Sequence, residues 1–259
     1  MHMLGWFIIL STCLMRVKTI GVMQTMEVPA LLQEKFGLRK CMGQCATEVY
    51  RSRALTGISS QEIELLSELG IKTVYDLRKP TEQSMNPEPE LIHQAFKVVS
   101  CTVDLQNDTH RTNQTMAQNV SESYGVPGER MRFLYGVMAQ YPDVIRHLVC
   151  EIVASDDPVL VHCANGKDRA GVVCACVQRC AGVSYDVIVE DYLKTNDYNH
   201  DMNTRDLSHY AGLMPAESVA VLAAMFEARK EYLDIFFNDI DAEFGSFDAW
   251  MHGLCVTNI

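Results

Sequence analysis

Cys163 and Arg169 stand six positions apart, with Gly166 between them, in the segment LVHCANGKDRAG of residues 160–171. An apolar run typical of a buried strand precedes the cysteine, and a helical pattern begins at Asp168. A tight turn that contains glycine presents its backbone N–H groups, and the start of a helix adds its positive dipole, so the segment predicts an anion site. A dianionic phosphate group fits this description.

The residues around the glycine separate two kinds of phosphate site. A nucleoside triphosphate loop needs a glycine five positions before Gly166 and a serine or threonine after the lysine, whereas this chain has Val161 and Asp168 there. Nucleoside triphosphate binding is therefore disfavoured. Cys163 at the bottom of the loop would instead be held as its thiolate by the amides, the helix end and the arginine. A thiolate beneath a bound phosphate is a nucleophile for phosphoryl transfer.

The composition limits the classes of partner. Of the 259 residues, 48% are hydrophobic, which is enough for one large core, and we expect one compact domain. The formal net charge of -11 lacks the lysine and arginine surplus that phosphate-backbone binding needs, so no nucleic-acid partner is expected. The ten cysteines form no paired CxxC motif, so we predict no metal and interpret them as buried, reduced thiols.

Strand and helix patterns alternate along the chain. Ser59 and Glu62 have the spacing of a capping box at the start of an amphipathic helix that Gly70 ends. Strands are predicted at Ile71–Leu77, Ala95–Val103 and Val159–His162, and further helices at residues 129–154 (two, broken around Pro142), 168–181, 184–195 and 215–240. This pattern predicts an α/β fold with a central, mostly parallel sheet and helices on both faces. The ligand would bind beyond the carboxyl ends of the strands.

The loop, read as HCxxGKDRxG, resembles the atypical, bacterial-type protein-tyrosine phosphatase family within the tyrosine and dual-specificity phosphatase superfamily. Four other segments are similar to motifs of that family: Tyr50–Leu55 (YRSRAL), Gly70–Arg78 (GIKTVYDLR) followed by Glu82, Asp191–Asn196 (DYLKTN) and Phe244–Trp250 (FGSFDAW). The resemblance covers residues 48–256 and implies a tyrosine-phosphatase-like fold. We therefore divide the chain into an N-terminal segment of uncertain role, residues 1–47, and a catalytic domain, residues 48–259.

The family resemblance implies a cysteine-dependent phosphatase that needs neither metal nor cofactor. Cys163 attacks phosphorus to give a cysteinyl-phosphate, Arg169 clamps the phosphate oxygens, and water hydrolyses the intermediate. The other loop residues implied to bind the substrate phosphate are Ala164, Asn165, Gly166 and Lys167. Many relatives take the leaving-group proton from an aspartate on a mobile loop before the cysteine, where this chain has Phe133. Asp168 is therefore the predicted general acid, with a role at the helix start as the alternative and Asp104 in reserve.

Three residues outside the loop are predicted to support it without touching substrate. Asp76 and Arg78 follow a neighbouring strand, and His162 is expected to be a hydrogen-bonded support for the loop. Lys167 has two interpretations, a solvated loop charge or a contact to an additional phosphate. Because phosphoinositide phosphatases also carry lysine after the glycine, the expected partner is a phosphoprotein or a phosphoinositide. The phosphoprotein would carry phosphotyrosine, with phosphoserine and phosphothreonine left open.

Ala170 departs from the family pattern, which has threonine or serine there. That hydroxyl helps the thiolate leave the cysteinyl-phosphate, so the resemblance implies a slow second step in this chain. A phosphate-binding pseudophosphatase is the alternative function, although the retained Cys163, Asp168 and Arg169 speak against it. A sulfur-transfer enzyme would explain neither Lys167 nor the arginine.

The location of the protein follows from its thiols and its first residues. A free Cys163 and many reduced cysteines favour the cytoplasm. The apolar run Met3–Met15 is too short to span a bilayer as a helix and lacks the form of a secretory signal. Secretion or membrane association through this run is the alternative. Membrane contact is otherwise expected only with a lipid substrate.

Overall fold

The computed structural model describes residues 27–103 and 125–253. Its centre is a five-stranded sheet in the order β1-β2-β5-β3-β4. The strands are β1 Arg39–Lys40, β2 Val49–Ser52, β3 Thr73–Asp76, β4 Lys97–Ser100 and β5 Val159–His162. β1 pairs with β2 antiparallel, and every other pairing is parallel. The mostly parallel sheet of the sequence prediction is confirmed.

The register of the sheet brings four strand ends together. Ser52 and Asp76 are both paired with His162, and Asp76 is also paired with Ser100. Because these strands are parallel, their carboxyl ends lie along one edge. The segments that follow Ser52, Asp76 and His162 therefore start beside one another.

The helices are α1 Ala30–Phe36, α2 Ser60–Glu68, α3 Pro80–Met85, α4 Glu90–Ala95, α5 Glu129–Ala139, α6 Pro142–Ala154, α7 Arg169–Cys180, α8 Tyr185–Leu193, α9 Thr195–Tyr198, α10 His200–Ala211, α11 Ala216–Phe226, α12 Lys230–Phe244 and α13 Phe247–His252. The chain divides into two compact units. Among the described residues, the first unit contains 27–102 and Arg146–Ile188, with the sheet, and the second contains Val103, 125–145 and 189–253.

Helices cover both faces of the sheet in the first unit. Tyr50, Leu160, Val74 and Val98 lie side by side in register on one face. They share a core cluster with side chains of α1, α2 and α4, namely Leu32, Phe36, Ile63, Leu66 and Ile92. Side chains alternate along a strand, so Val159 and Val161 point to the other face. There α7, buried from Ala170 to Gln178, packs on β2 and β5.

Several predicted elements are confirmed, and the differences lie in two strands and in several helices. β5 has the predicted bounds, the capping box of α2 is formed in both directions, and a break before Pro142 separates α5 from α6. The stretch Ala95–Val103 yields a shorter strand, β4, because α4 extends to Ala95. Strands β1 and β2 and helices α1, α3, α4, α9, α10 and α13 were not predicted. Residues 104–124, which belong to a polar stretch that the sequence favours as a loop or lid, lie outside the described residues, as does the run Met3–Met15.

The second unit is helical and holds its own aromatic core. α5 packs along α12, and the hydroxyls of Tyr135 and Tyr192 share a hydrogen bond of 2.6 Å. The side chain of Asn196 bonds both backbone groups of Ala228, which ties α9 to the start of α12. Trp250 of α13 is buried against Phe236 and Phe247. Within residues 27–103 and 125–253, no helix has the length and apolar content to cross a membrane.

Candidate active site

The loop between β5 and α7, together with the first residue of α7, forms what we call the cradle, Cys163–Arg169. Gly166 has a φ of +62°, and a Cβ at this position would collide with the Ser52 carbonyl group. Glycine is therefore required for both reasons. The N–H of Ala54 donates to the Ala164 carbonyl at 3.1 Å. The segment that follows β2 thus fixes the shape of the loop.

Arg169 is held at the start of α7 by groups from the β3 end of the sheet. Its Nη2 donates to Glu82 Oε1 at 2.8 Å and its Nη1 donates to Glu82 Oε2 and, at 3.1 Å, to the Leu77 carbonyl. Burial alone would raise the pKa of Glu82, but the hydrogen bonds and charge of Arg169 prevail and lower it. The pair therefore remains charged, and the guanidinium has a fixed orientation.

Cys163 lies at the bottom of the cradle and is 2% exposed. Burial lowers the pKa of Arg169, whereas Glu82, the Cys163 sulfur and Asp168 act in the opposite direction and raise it overall. The Cys163 sulfur therefore lies within electrostatic reach of the guanidinium. Ala170, the next residue of α7, is fully buried and offers no hydroxyl.

Lys167 and Asp168 form a pair within the cradle. Lys167 is 2% exposed, and its Nζ lies 3.4 Å from Asp168 Oδ1. The interpretation of Lys167 as a solvated loop charge is therefore wrong. Asp168 occupies the N-cap position of α7, but its side chain makes no capping hydrogen bond to the helix and is 21% exposed. This carboxyl is thus not committed to the role at the helix start.

A second group of polar and charged side chains, which we call the brace, lies at the carboxyl ends of β3 and β5 and consists of Asp76, Arg78, Glu88 and His162. Arg78 donates from Nε and Nη2 to the two oxygens of Asp76 at 2.9 and 2.8 Å, and Nη2 lies 3.3 Å from Glu88 Oε1. Burial would raise the pKa of Asp76, but Arg78 and His162 lower it. The predicted grouping of Asp76, Arg78 and His162 is present, and Glu88 completes it.

His162 is enclosed differently from the prediction. Its Nδ1 lies 3.8 Å from Asp76 Oδ1 and its Nε2 lies 3.6 Å from Glu88 Oε1. Neither ring nitrogen makes a hydrogen bond to any residue in the described parts of the chain. The His162 ring therefore lies between two carboxylates without the expected hydrogen bonds, because both carboxylates pair with Arg78.

The brace also contains a set of possible metal ligands. Asp76, Glu88 and His162 bring one ligand atom each to within 4.8 Å of the others. Arg78 already pairs with both carboxylates. The two carboxylates face opposite nitrogens of the His162 ring, whereas a single metal ion binds only one ring nitrogen. The arrangement fits a fixed guanidinium better than a divalent cation.

Two acidic residues of this region could not be assigned from the sequence. Glu82 was recognised only as part of a motif, without a partner, although an acid in the first turn after Pro80 was the available signal. Glu88 had no signal, since it lies in a proline-rich stretch that predicts a loop. Asp104, the reserve general acid, lies outside the described residues.

The protein belongs to the tyrosine phosphatase family, since the model of that family matches residues 46–258. A Cupriavidus necator protein, provisionally named a tyrosine-protein phosphatase, is 30% identical over 78% of this chain and 72% of its own length. The triple specificity protein phosphatase PtpB of Mycobacterium tuberculosis is 26% identical over 78% of this chain and 84% of its own. The solved structure of P. aeruginosa TpbA with phosphotyrosine covers 69% of this chain and 86% of its own at 18% identity and a TM-score of 0.32. The family match and the Cupriavidus necator relative confirm the predicted family and class of enzyme.

Proposed function

We propose that this protein hydrolyses phosphotyrosine through a cysteinyl-phosphate at Cys163. The thiolate attacks phosphorus, the bond from phosphorus to the tyrosyl oxygen breaks, and the leaving oxygen takes a proton from Asp168. Water then attacks the cysteinyl-phosphate, which releases inorganic phosphate and returns the thiolate. Asp168 accepts a proton from that water, so the cycle closes without a metal or cofactor.

The observation that carries this proposal is the set of N–H groups on Arg169. A guanidinium has five N–H donors. Glu82 and the Leu77 carbonyl engage three of them, all on Nη1 and Nη2. The Nε–H and the second Nη2–H lie along one edge and make no hydrogen bond to the described residues. Such an edge fits two oxygens of a phosphate beside the sulfur of Cys163.

The rest of the cradle supports the binding of a dianion. The backbone N–H groups from Ala164 to Asp168 precede a twelve-residue helix whose dipole favours negative charge at this end. Gly166 allows the backbone to turn there without a side chain. We assign Ala164, Asn165, Gly166 and Lys167 to phosphate binding and Asp76, Arg78 and His162 to the support of the loop.

The substrate class is wider than phosphotyrosine if the cradle accepts other phosphate esters, and two features favour testing this. PtpB is named for triple specificity. Lys167 is buried within the cradle, where its ammonium could meet a second phosphate once Asp168 moves. We include phosphoserine, phosphothreonine and phosphoinositides as candidate substrates. Action on a lipid would also bring the protein to a membrane surface.

A slow or inactive phosphatase is the second candidate function, and Ala170 is the observation that favours it. The fully buried methyl group supplies no hydroxyl to assist departure of the Cys163 thiolate. We propose that residues 48–259 form the catalytic domain and that this domain turns over slowly. We also propose a cytoplasmic location, which is in keeping with a reduced nucleophile.

The test uses the full chain with para-nitrophenyl phosphate and a phosphotyrosine peptide. We expect C163S to lower turnover by about 10⁴-fold or more, because it removes the nucleophile. Acid quench of the wild type should trap a phosphate on Cys163. Equal rates for wild type and C163S, with phosphate still bound, would establish the pseudophosphatase instead. A panel of phosphoserine peptides and phosphoinositide vesicles then defines the substrate class.

A further inference from the structure

Residues 86–89, which we call the strap, carry a glutamate between two prolines. Pro87 and Pro89 have fixed φ angles, and the proline that follows Glu88 restricts that residue to extended conformations. Hydrogen bonds also fix the first residue of the strap, Asn86. The Asn86 carbonyl accepts hydrogen bonds from Arg78 Nη1 at 2.8 Å and from the Thr56 hydroxyl at 3.2 Å. The backbone therefore presents Glu88 in a restricted orientation.

The carboxylate of Glu88 joins three segments of the chain. Oε1 accepts a hydrogen bond from the N–H of Leu55 at 2.7 Å and lies 3.3 Å from Arg78 Nη2 and 3.6 Å from His162 Nε2. These partners follow β2, follow β3 and end β5, respectively. The side chain of Glu88 is 5% exposed. One buried oxygen thus fixes three neighbouring strand ends relative to one another.

The contact with His162 is the one that bears on the nucleophile. His162 is fully buried, precedes Cys163 directly and has Asp76 on the other side of its ring. Its main chain is fixed by the Leu77 N–H, which donates to the His162 carbonyl at 2.9 Å. Glu88 therefore limits movement of the ring, and with it the placement of the next side chain.

We propose that Glu88 is a positioning residue that fixes the place of Cys163 through His162, an inference that rests on the proposed function. Glu88 does not touch the phosphate, and Arg169 is oriented separately by Glu82. A misplaced nucleophile should therefore slow phosphoryl transfer while phosphate binding persists. Displacement of a reacting atom by about 1 Å can cost about 10²-fold in rate.

The matched variants are E88Q and E62Q. Glutamine at 88 retains the size and a carbonyl oxygen for Leu55 but removes the charge that faces Arg78 and His162. Glu62 is an equally buried carboxylate that also accepts a backbone N–H, from Ser59 at 2.7 Å, and pairs with Lys35 at 2.8 Å. The same substitution there controls for the general cost of losing a buried carboxylate.

Stopped-flow measurement of the burst of para-nitrophenol gives the rate at which Cys163 is phosphorylated, and inhibition by inorganic phosphate gives the affinity of the cradle. We expect E88Q to slow the burst about tenfold or more and to change the phosphate inhibition constant less than about twofold. E62Q should leave both values at the wild-type level. E82Q should instead weaken phosphate inhibition, because it releases Arg169.

An E88Q burst within twofold of the wild type overturns the inference, as does an equal loss of burst rate and phosphate affinity. If E88Q does not fold, E88D, which keeps the charge but shortens its reach, is judged by the same two values. A wild type that turns over without any burst contradicts the slow second step inferred from Ala170, whereas a wild type without turnover contradicts the proposed function. The role of Glu88 is then judged by the rate at which iodoacetamide alkylates Cys163, measured by peptide mass spectrometry. An alkylation rate changed at least threefold in E88Q, with unchanged protection of Cys163 by phosphate, supports the inference. An unchanged alkylation rate overturns it.

Discussion

The cradle and the brace are adjacent groups of charges built from the same chemistry. Each centres on an arginine paired with carboxylates at the carboxyl ends of the strands. In the brace, the Arg78 side chain is 3% exposed and is bound by Asp76, Glu88 and the Asn86 carbonyl. In the cradle, Arg169 is 11% exposed and keeps one edge of its guanidinium without a hydrogen bond to the described residues.

This difference shows how one ion-pair chemistry serves two purposes. A buried pair in which every guanidinium nitrogen has a partner contributes geometry, since breaking it leaves a buried charge without compensation. A pair that leaves an edge open orients the arginine for a ligand of the opposite charge. Changes in the brace should therefore alter placement and stability, whereas changes in the cradle should alter chemistry.

The largest effect is expected for R169K. Lysine keeps the positive charge but loses the planar edge with two N–H groups and the paired contact to Glu82. We expect kcat/KM with para-nitrophenyl phosphate to fall about 10³-fold, in the range seen when arginines that stabilise phosphoryl transfer are lost. The conservative variant R78K should lower the melting temperature more than R169K does. The reverse order of melting temperatures would contradict the distinction between brace and cradle.

The next effect is expected for D168N, which tests whether the cradle contains its own acid. Loss of a general acid should lower kcat by about 10²-fold for a phenol of high pKa. Activated aryl phosphates need little protonation of the leaving group and should lose much less. Rates are compared across a series of aryl phosphates. An equal loss for every leaving group would assign Asp168 to structure rather than to proton transfer.

A gain is expected for A170S, which restores a hydroxyl to the first turn of α7. The hydroxyl can donate to the sulfur as it leaves the cysteinyl-phosphate, so release of phosphate after the burst should accelerate by up to about 10²-fold. The burst rate itself should stay at the wild-type level. Rapid-quench measurement of both steps checks this. Acceleration of the burst alone would place the effect of position 170 in the first step.

The smallest effect concerns stability at acid pH. Because Arg169 lowers the pKa of Glu82 in the folded protein, the charged pair stabilises it fully above the ordinary glutamate pKa of 4.5. That contribution is lost as the pH falls through the lowered pKa of Glu82. In urea unfolding between about pH 6 and pH 3, E82Q should show a shallower decrease in the free energy of unfolding than the wild type. Parallel curves would show that the ion pair adds nothing to stability.

Periodicity and capping predicted the elements that position the nucleophile. The apolar run of β5, the capping box at Ser59 and the break at Pro142 are local signals, and each of them has the predicted structural counterpart. Helices α3 and α4 have only six residues each and few buried side chains, so they carry too short a pattern to recognise. Prolines at their starts suggested loop, although proline is favoured at the first turn of a helix.

The partners of the site residues could not be predicted from local signals. Arg169 meets Glu82, and His162 meets Glu88, only because β3 lies next to β5 in the sheet. The order of the strands is a property of the whole fold, and the sequence of neither β3 nor β5 alone indicates it. The burial of Lys167 follows for the same reason, since the segments around it determine whether its ammonium reaches solvent.

Gly166 closes against the carbonyl of Ser52, a residue far away along the chain. The cradle therefore has a high contact order and can form only after β2 and β5 have paired. A synthetic peptide of residues 160–171 would contain every residue of the motif without its shape. Phosphate affinity should consequently appear late during refolding, together with the complete sheet, and could serve as a signal for the last step.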